Sequence, residues 1–445
     1  MLSSKTSTNT KYVCLFIFLF AVTAKLFPVN VFSNPSRRIL SPVYDFKALS
    51  MNISSRINPN DPRLHLLNEV LPFSKKIAAS FLNDSRDFIT HRRSAELSRR
   101  KHFLCALFTD FSVQSLNTFQ RNMNASKSRN FNCEWAIVGY KGDPLILEEM
   151  TKSAHNAGVH IAFSDFAMPI ETMLEKHYAP IFTEFNLKNL SRSFKMYPKP
   201  LLFFSIREIV KQYQYVWILD NDLILGENID FKRLYSNLQC GMQPYEPPLV
   251  SQLINNDNGN TNYHYLNSYA WRDSEVEIIS SVFVEIQTPI FNTLFFEWFL
   301  DTIVSPIIAP LLIMGSDHGV DNILCGAAKH YAQMYKKLSG LNHKTLNSKK
   351  IISINSNRAS ISHCAVHTKQ SFTHLNLKTS VSSMSADERR LDEAYKHKLI
   401  IAILDIFPQF WVFGQSPESD PRKRKSGIKL NAQLRWRCEK HLKSS

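Results

Sequence analysis

Apolar residues in this chain gather in short runs separated by polar turns. His102–Phe108, Trp135–Tyr140 and Val159–Phe163 each read as a strand with helix-length spacing between them, which predicts a β–α–β–α–β start. Between residues 200 and 213 the spacing changes. Leu202, Ile206, Ile209, Val210 and Tyr213 recur at helical intervals, with Arg207, Glu208 and Lys211 on the other side. That helix feeds a run of β-formers, Tyr215–Leu219, which reads as a parallel strand buried on both faces. A short helix at Phe231–Leu238, a strand at Leu249–Ile254 and strand character over Val276–Ile286 follow. Later elements are a helix over Phe291–Val304, a turn at Gly315–Asp321 entering a helix to Tyr335, strands at Ile351–Ile354 and Cys364–His367, and a helix over Ala386–Phe407.

The strand at Tyr215 ends in Asp220-Asn221-Asp222. Open α/β sheets bind ligands at the carboxyl ends of their strands. Two carboxylates delivered there are hard oxygen ligands, suited to Mg²⁺ or Mn²⁺ carrying a diphosphate. This is the metal and nucleotide-sugar site of GT-A glycosyltransferases. The simpler reading is an acidic turn after a strand. On the metal reading Asp222 is the direct ligand, Asp220 a ligand or ribose contact, and Asn221 part of the same cofactor-binding turn.

A second constellation is Asp317-His318-Gly319-Val320-Asp321. Asp321 or Asp317 is the candidate base for an acceptor hydroxyl, which is a poor nucleophile until its proton is removed. Helix capping by Ser316 or Asp317 explains the same residues without chemistry. His367 is the expected third metal ligand, with His363 and His374 as competitors. Glu285 and Gln287, between a strand and a helix, are expected to line an acceptor pocket. Trp271 and Arg272, in a polar loop over residues 255–273, are expected to stack on a sugar or bind phosphate, and His318 to contact the acceptor.

The amino terminus bears on compartment. Tyr12–Ala24 is apolar and preceded by Lys5 and Lys11, and with Lys25 snorkelling the stretch continues to Phe32. We expect a signal anchor over 12–33 behind a cytoplasmic tail of 1–11, with a cleaved signal as the alternative. Residues 34–100 read as a stem, 101–413 as the catalytic domain and 414–445 as a basic tail. Asn-x-Ser/Thr sequons at Asn52, Asn83, Asn124 and Asn189 permit a lumenal location. Of 7 cysteines, Cys14 lies in the apolar segment. The others allow up to 15 complete disulfide pairings. The net charge of +15 is spread along the chain without a nucleic-acid signature, so no nucleic-acid partner is expected. No P-loop, Gly-x-Gly-x-x-Gly or Gly-x-Ser-x-Gly motif is present, so the P-loop NTPase, Rossmann dehydrogenase and α/β-hydrolase readings lack support.

Several stretches resemble the plant and microbial membrane-anchored proteins grouped as domain of unknown function 707. They are Trp135–Gly142, Lys199–Leu225, Val250-Ser251-Gln252, Phe283–Phe291 and Gly315–Ala328, spanning roughly residues 100–370. The resemblance implies a GT-A-like lumenal domain behind one anchor and gives no donor or acceptor. His318 stands where members often show Trp, and Asn221 where they show an acidic residue.

The expectation is therefore a type II membrane protein of the Golgi or endoplasmic reticulum. Its fold is a GT-A-like, doubly wound mixed α/β sheet with flanking helices. The expected activity is transfer of a sugar from a nucleotide diphosphate donor to a glycan or glycoprotein, with Mn²⁺ or Mg²⁺. The alternative is a non-catalytic lumenal glycan-binding or scaffolding protein on the same fold.

Overall fold

The computed structural model describes residues 60–91, 100–109, 112–128, 133–139, 145–146, 148–149, 152, 160–161, 167–182, 198–227, 229–240, 248–256, 277–281, 283–338, 363–375 and 385–410. The expected anchor, the strand at 351–354, the basic tail and the loop bearing Trp271 and Arg272 lie outside the described residues.

The chain forms a mixed α/β sheet. In chain order its strands are β1 (Lys101–Thr109), β2 (Cys133–Gly139), β3 (His160–Ile161), β4 (Tyr213–Asp220), β5 (Leu223–Leu225), β6 (Val250–Asn255), β7 (Ile278–Ser281), β8 (Ile290–Asn292) and β9 (Cys364–His374). They are arranged β3-β2-β1-β4-β8-β6-β9-β5, with β7 also on β9. β3, β2, β1 and β4 run parallel; β8 is antiparallel to β4 and to β6, so β6 and its parallel neighbour β9 point the same way as β4. The carboxyl ends of β1, β2, β4, β6 and β9 consequently share one edge.

Both faces of the sheet are covered, which explains the unbroken apolar runs. In β4, Val216 and Ile218 enter one core, while Tyr215, Trp217 and Leu219 enter the other. Leu104, Ala106 and Phe108 of β1 likewise oppose Phe103, Cys105 and Leu107. On the first face pack helices α1 (Pro62–His91), α3 (Ala167–Phe182), α7 (Thr293–Phe299), α8 (Ile308–Met314), α9 (Val320–Leu338) and α10 (Ala386–Ile406). On the second lie α2 (Val113–Ser128) and α6 (Phe231–Cys240).

The expected stem is overturned within the described residues. Pro62–His91 is a 30-residue helix that buries Leu67, Val70, Ser74, Ala78 and Ser85 in the fold. Its stripe is hidden in the sequence because two of its positions are serines. Ser74 Oγ bonds to the Tyr178 hydroxyl at 2.9 Å, and Ser85 Oγ donates to the Leu82 carbonyl at 2.7 Å, so each is satisfied without water. Pro72, ordinarily a breaker, sits inside this helix.

Other expectations shift in extent. The helix expected before β4 is three short pieces, α4 (Lys199–Leu202), a 3₁₀ turn (Phe203–Ile206) and α5 (Arg207–Val210). Of the strand character expected over Val276–Ile286, the described residues show β7, with 283–286 in a loop. The Cys364–His367 strand extends to His374. The helix expected over Phe291–Val304 runs, through π and 3₁₀ turns, to Met314. Thr293–Met314 is long and apolar enough to cross a membrane, but 94% of its most apolar window is buried in the fold, as a core helix is. Disulfides join Cys105 to Cys133, across β1 and β2, and Cys325 to Cys364, from α9 to the start of β9.

Candidate active site

β4 delivers Asp220 at its last position, and Asn221 and Asp222 turn the chain into β5. Two devices hold this turn. The Asn122 side chain of α2 reads β5 as a strand neighbour would, donating to Leu223 O at 2.7 Å and accepting from Leu225 N at 3.0 Å. Asn221 Nδ2 donates to Ser115 Oγ at 2.7 Å, at the start of α2. Asn221 thus has a structural partner rather than a free side chain.

The other side of β5 pairs with β9, and the register sets Leu223 opposite His374. Leu375 N donates to Asp222 O at 2.9 Å, and His374 Nε2 lies 3.2 Å from Asp222 Oδ2. Both side chains are 14% exposed. His374, not His367, is therefore the histidine brought to the aspartate turn. His367 is fully buried within the sheet, with Nε2 3.0 Å from Ser251 Oγ. Burial pushes its imidazole down to about 3, so it is neutral. The sheet also explains the separation. β9 bulges after His367, so that Leu253 faces His367 while Ile254 faces Ser371, and His374 lies further along the strand at its carboxyl end.

Asp220 has a different partner. Lys199 Nζ, at the start of α4, lies 2.5 Å from Asp220 Oδ1 and donates to Gln287 O at 2.8 Å. The lysine side chain is 10% exposed. Burial raises the Asp220 carboxyl; Lys199 opposes this, while the charges of Asp222 and Asp317 add to it. A recessed position explains why a carboxyl still 27% open to solvent behaves as a buried one.

The loop between β7 and β8 forms the facing wall, held by side chains from four elements. Glu285 N donates to Gln252 Oε1 of β6 at 2.6 Å, and Ile286 N to Asp321 Oδ1 of α9 at 3.1 Å. Gln287 O accepts from Lys199, and Trp217 Nε1 of β4 donates to Thr288 Oγ1 at 3.0 Å. The Gln287 side chain is exposed. The turn into α9 uses Gly315 at φ 60° and Gly319 at φ 99°, left-handed conformations that glycine adopts without strain. Between them, His318 N donates to Ser316 Oγ at 3.2 Å, and the His318 ring lies 3.7 Å from Asp317.

The carboxyls here differ in character. Burial raises Glu285 to about 7, against the opposing charge of His374. Burial, then the charges of Asp317 and Glu285, hold Asp321 well above the usual carboxylate range. Burial also acts to raise Asp317, but His318 and Lys199 outweigh it and keep this group low. These mutual influences place Asp220, Asp222, Glu285, Asp317 and Asp321 in one cluster with Lys199, His318 and His374. Of the residues expected from sequence, His367 is not among them. Lys199 carries no signal in the sequence beyond its place just before the apolar run at Leu201. His374 stands out less than His367 in the sequence because polar Thr368, Lys369 and Gln370 interrupt the pattern of its strand.

Among the described residues, no three His, Cys, Asp or Glu side chains converge closely enough to hold a metal alone. Asp222 and His374 are a two-residue foothold, and a diphosphate supplies further oxygens in sites of this kind. An imidazole beside a carboxylate favours a transition ion such as Mn²⁺ over Mg²⁺, which takes oxygen ligands. The donor set fits such an ion, with Asp220 engaged elsewhere.

No protein-family model and no curated sequence matches this chain. Solved structures similar to it include Staphylococcus aureus TarS residues 1–349, at 9% identity and TM-score 0.30, covering 56% of this chain and 75% of that one. The galactosyltransferase LgtC, in complex with donor and acceptor sugar analogues, aligns at 8% identity and TM-score 0.27, covering 66% and 95%. The Saccharomyces cerevisiae mannosyltransferase Ktr4p aligns at 11% identity and TM-score 0.25, covering 60% and 78%. With TM-scores of this size, the functional reading rests on the site's own geometry.

Proposed function

We propose that this chain is a glycosyltransferase that moves a sugar from a nucleotide diphosphate donor to a glycan or glycoprotein. The observation that carries this reading is the Asp222–His374 pair, set at the carboxyl end of the sheet beside a cluster of carboxyls. A diphosphate held beside the Asp222 carboxylate needs a cation between the two negative groups. Asp222 and His374 are the residues that would hold it. The ion would supply positive charge to the leaving diphosphate.

The chain's own groups divide the remaining work. Glu285 replaces Asp321 and Asp317 as the group that takes the acceptor's proton. It lies on a loop pinned on consecutive residues, and its carboxyl, near 7, suits proton exchange at neutral pH. Asp321 holds that loop through Ile286 N, and Asp317 is kept ionised, a weak base, beside His318. Gln287 and His318, both exposed, are placed to meet the acceptor. The two disulfides support an oxidising, lumenal compartment, and Asn83 and Asn124 are exposed as sequons require. A type II anchor in the Golgi or endoplasmic reticulum membrane is part of the same proposal.

The test is binding of Mn²⁺ with nucleoside diphosphates to the chain, followed by a nucleotide-sugar hydrolysis screen. Asp222→Ala and His374→Ala should each abolish both signals. Glycan binding without any nucleotide binding would instead favour the scaffolding alternative.

A further inference from the structure

The aspartate turn carries two carboxylates, and among the described residues the histidine beside it, His374, lies against Asp222. Asp220 is joined to a buried ammonium at 2.5 Å, a charge-assisted contact. That ammonium is also tied to the Gln287 carbonyl at 2.8 Å. Lys199 therefore bridges the donor side of the cluster, at the end of β4, to the wall that carries Glu285. A divalent ion on Asp220 would have to displace a lysine whose side chain is 10% exposed, or sit beside its positive charge.

We propose that Lys199 is a built-in counter-ion and positioning residue. It withdraws Asp220 from cation binding and fastens it to the 285–288 loop, so that a divalent ion is received by Asp222 and His374 alone. This rests on the proposed transferase reading for its ligand, Mn²⁺, but the assignment of Lys199 is tested separately. Freed of its lysine, Asp220 becomes a second carboxylate two positions from Asp222, and affinity for a divalent ion rises with the number of charged ligands. Removing lysine and aspartate together deletes a neutral pair and leaves the Asp222–His374 foothold as it was.

The experiment is titration of the full-length chain with Mn²⁺ alone, by calorimetry and by the electron paramagnetic resonance of free Mn²⁺. Lys199→Met should bind Mn²⁺ about tenfold or more tighter than wild type. Lys199→Met/Asp220→Asn should return to within about twofold of wild type. Lys199→Arg should stay near wild type, and Asp222→Asn should lose binding in every background. A merely structural lysine would weaken Mn²⁺ binding when removed. Weaker binding in a cooperatively melting Lys199→Met overturns the proposal, as does loss of binding in the double variant to the level of Asp222→Asn. Should Lys199→Met fail to fold, the double variant decides. Binding gained in Lys199→Met but absent in wild type sustains the counter-ion role and sinks the metal half of the proposed function. Binding in neither overturns both.

Discussion

Replacing Glu285 by Gln removes a carboxyl that burial holds at about 7, against 4.5 in an open chain. The folded chain therefore binds this proton more tightly than the unfolded chain does. The stabilising contribution is full below about pH 4.5 and is lost as pH rises through about 7. The gap corresponds to about 3 kcal/mol of destabilisation at pH 8, where an ionised carboxylate stays buried. Glutamine keeps the shape and carries no charge. Urea denaturation followed by tryptophan fluorescence at pH 5 and pH 8 should show wild type losing about 1–3 kcal/mol relative to Glu285→Gln between the two. On the proposed function the same variant should lose transfer activity, because the proposed proton acceptor is gone. Parallel pH profiles for the two proteins would refute the burial argument, and wild-type turnover in the variant would refute the catalytic one.

Three further outcomes follow from the packing. Gly326→Ala would place a methyl 1.9 Å from the Phe410 carbonyl oxygen, so the 3₁₀ turn at Pro408–Phe410 must leave α9. With Phe407 and Phe410 both buried, the expected loss is about 2–5 kcal/mol in urea denaturation, and unchanged stability would contradict the close approach. Asn122→Ala orphans Leu223 O and Leu225 N beside Asp222, which should cost about 2–4 kcal/mol and weaken Mn²⁺ binding in the same preparation. Cys325 lies one helical turn beyond Asp321, and Cys364 opens the strand that ends at His374. Cys325→Ser/Cys364→Ser should therefore lower both the melting temperature and Mn²⁺ affinity, whereas an effect on melting alone would separate the disulfide from the site.

The central strands were legible because the sheet is buried on both faces, which forces unbroken runs such as Tyr215–Leu219 to be apolar. The aspartate turn was legible because such a run ends there abruptly. Elements whose buried positions are polar were not. Ser74 and Ser85 hid α1 in what reads as a stem, and Thr368–Gln370 hid the second half of β9. That half matters most, since its pairing with β5 exchanges His367 for His374 at the site. Lys199 was invisible for another reason. A lone lysine before an apolar helix reads as a surface residue, and only the fold shows it buried against Asp220. Asp321 and Asp317 stand out in the sequence as a pair, but the hydrogen bonds and charges around them are not revealed by spacing.

The most direct test of the account is calorimetric titration of Mn²⁺ and a nucleoside diphosphate into the wild type, Asp222→Ala and His374→Ala. Wild type should show metal-dependent nucleotide binding that is lost in both variants and kept in His367→Ala. Nucleotide binding that persists in Asp222→Ala, or none in wild type, would contradict it.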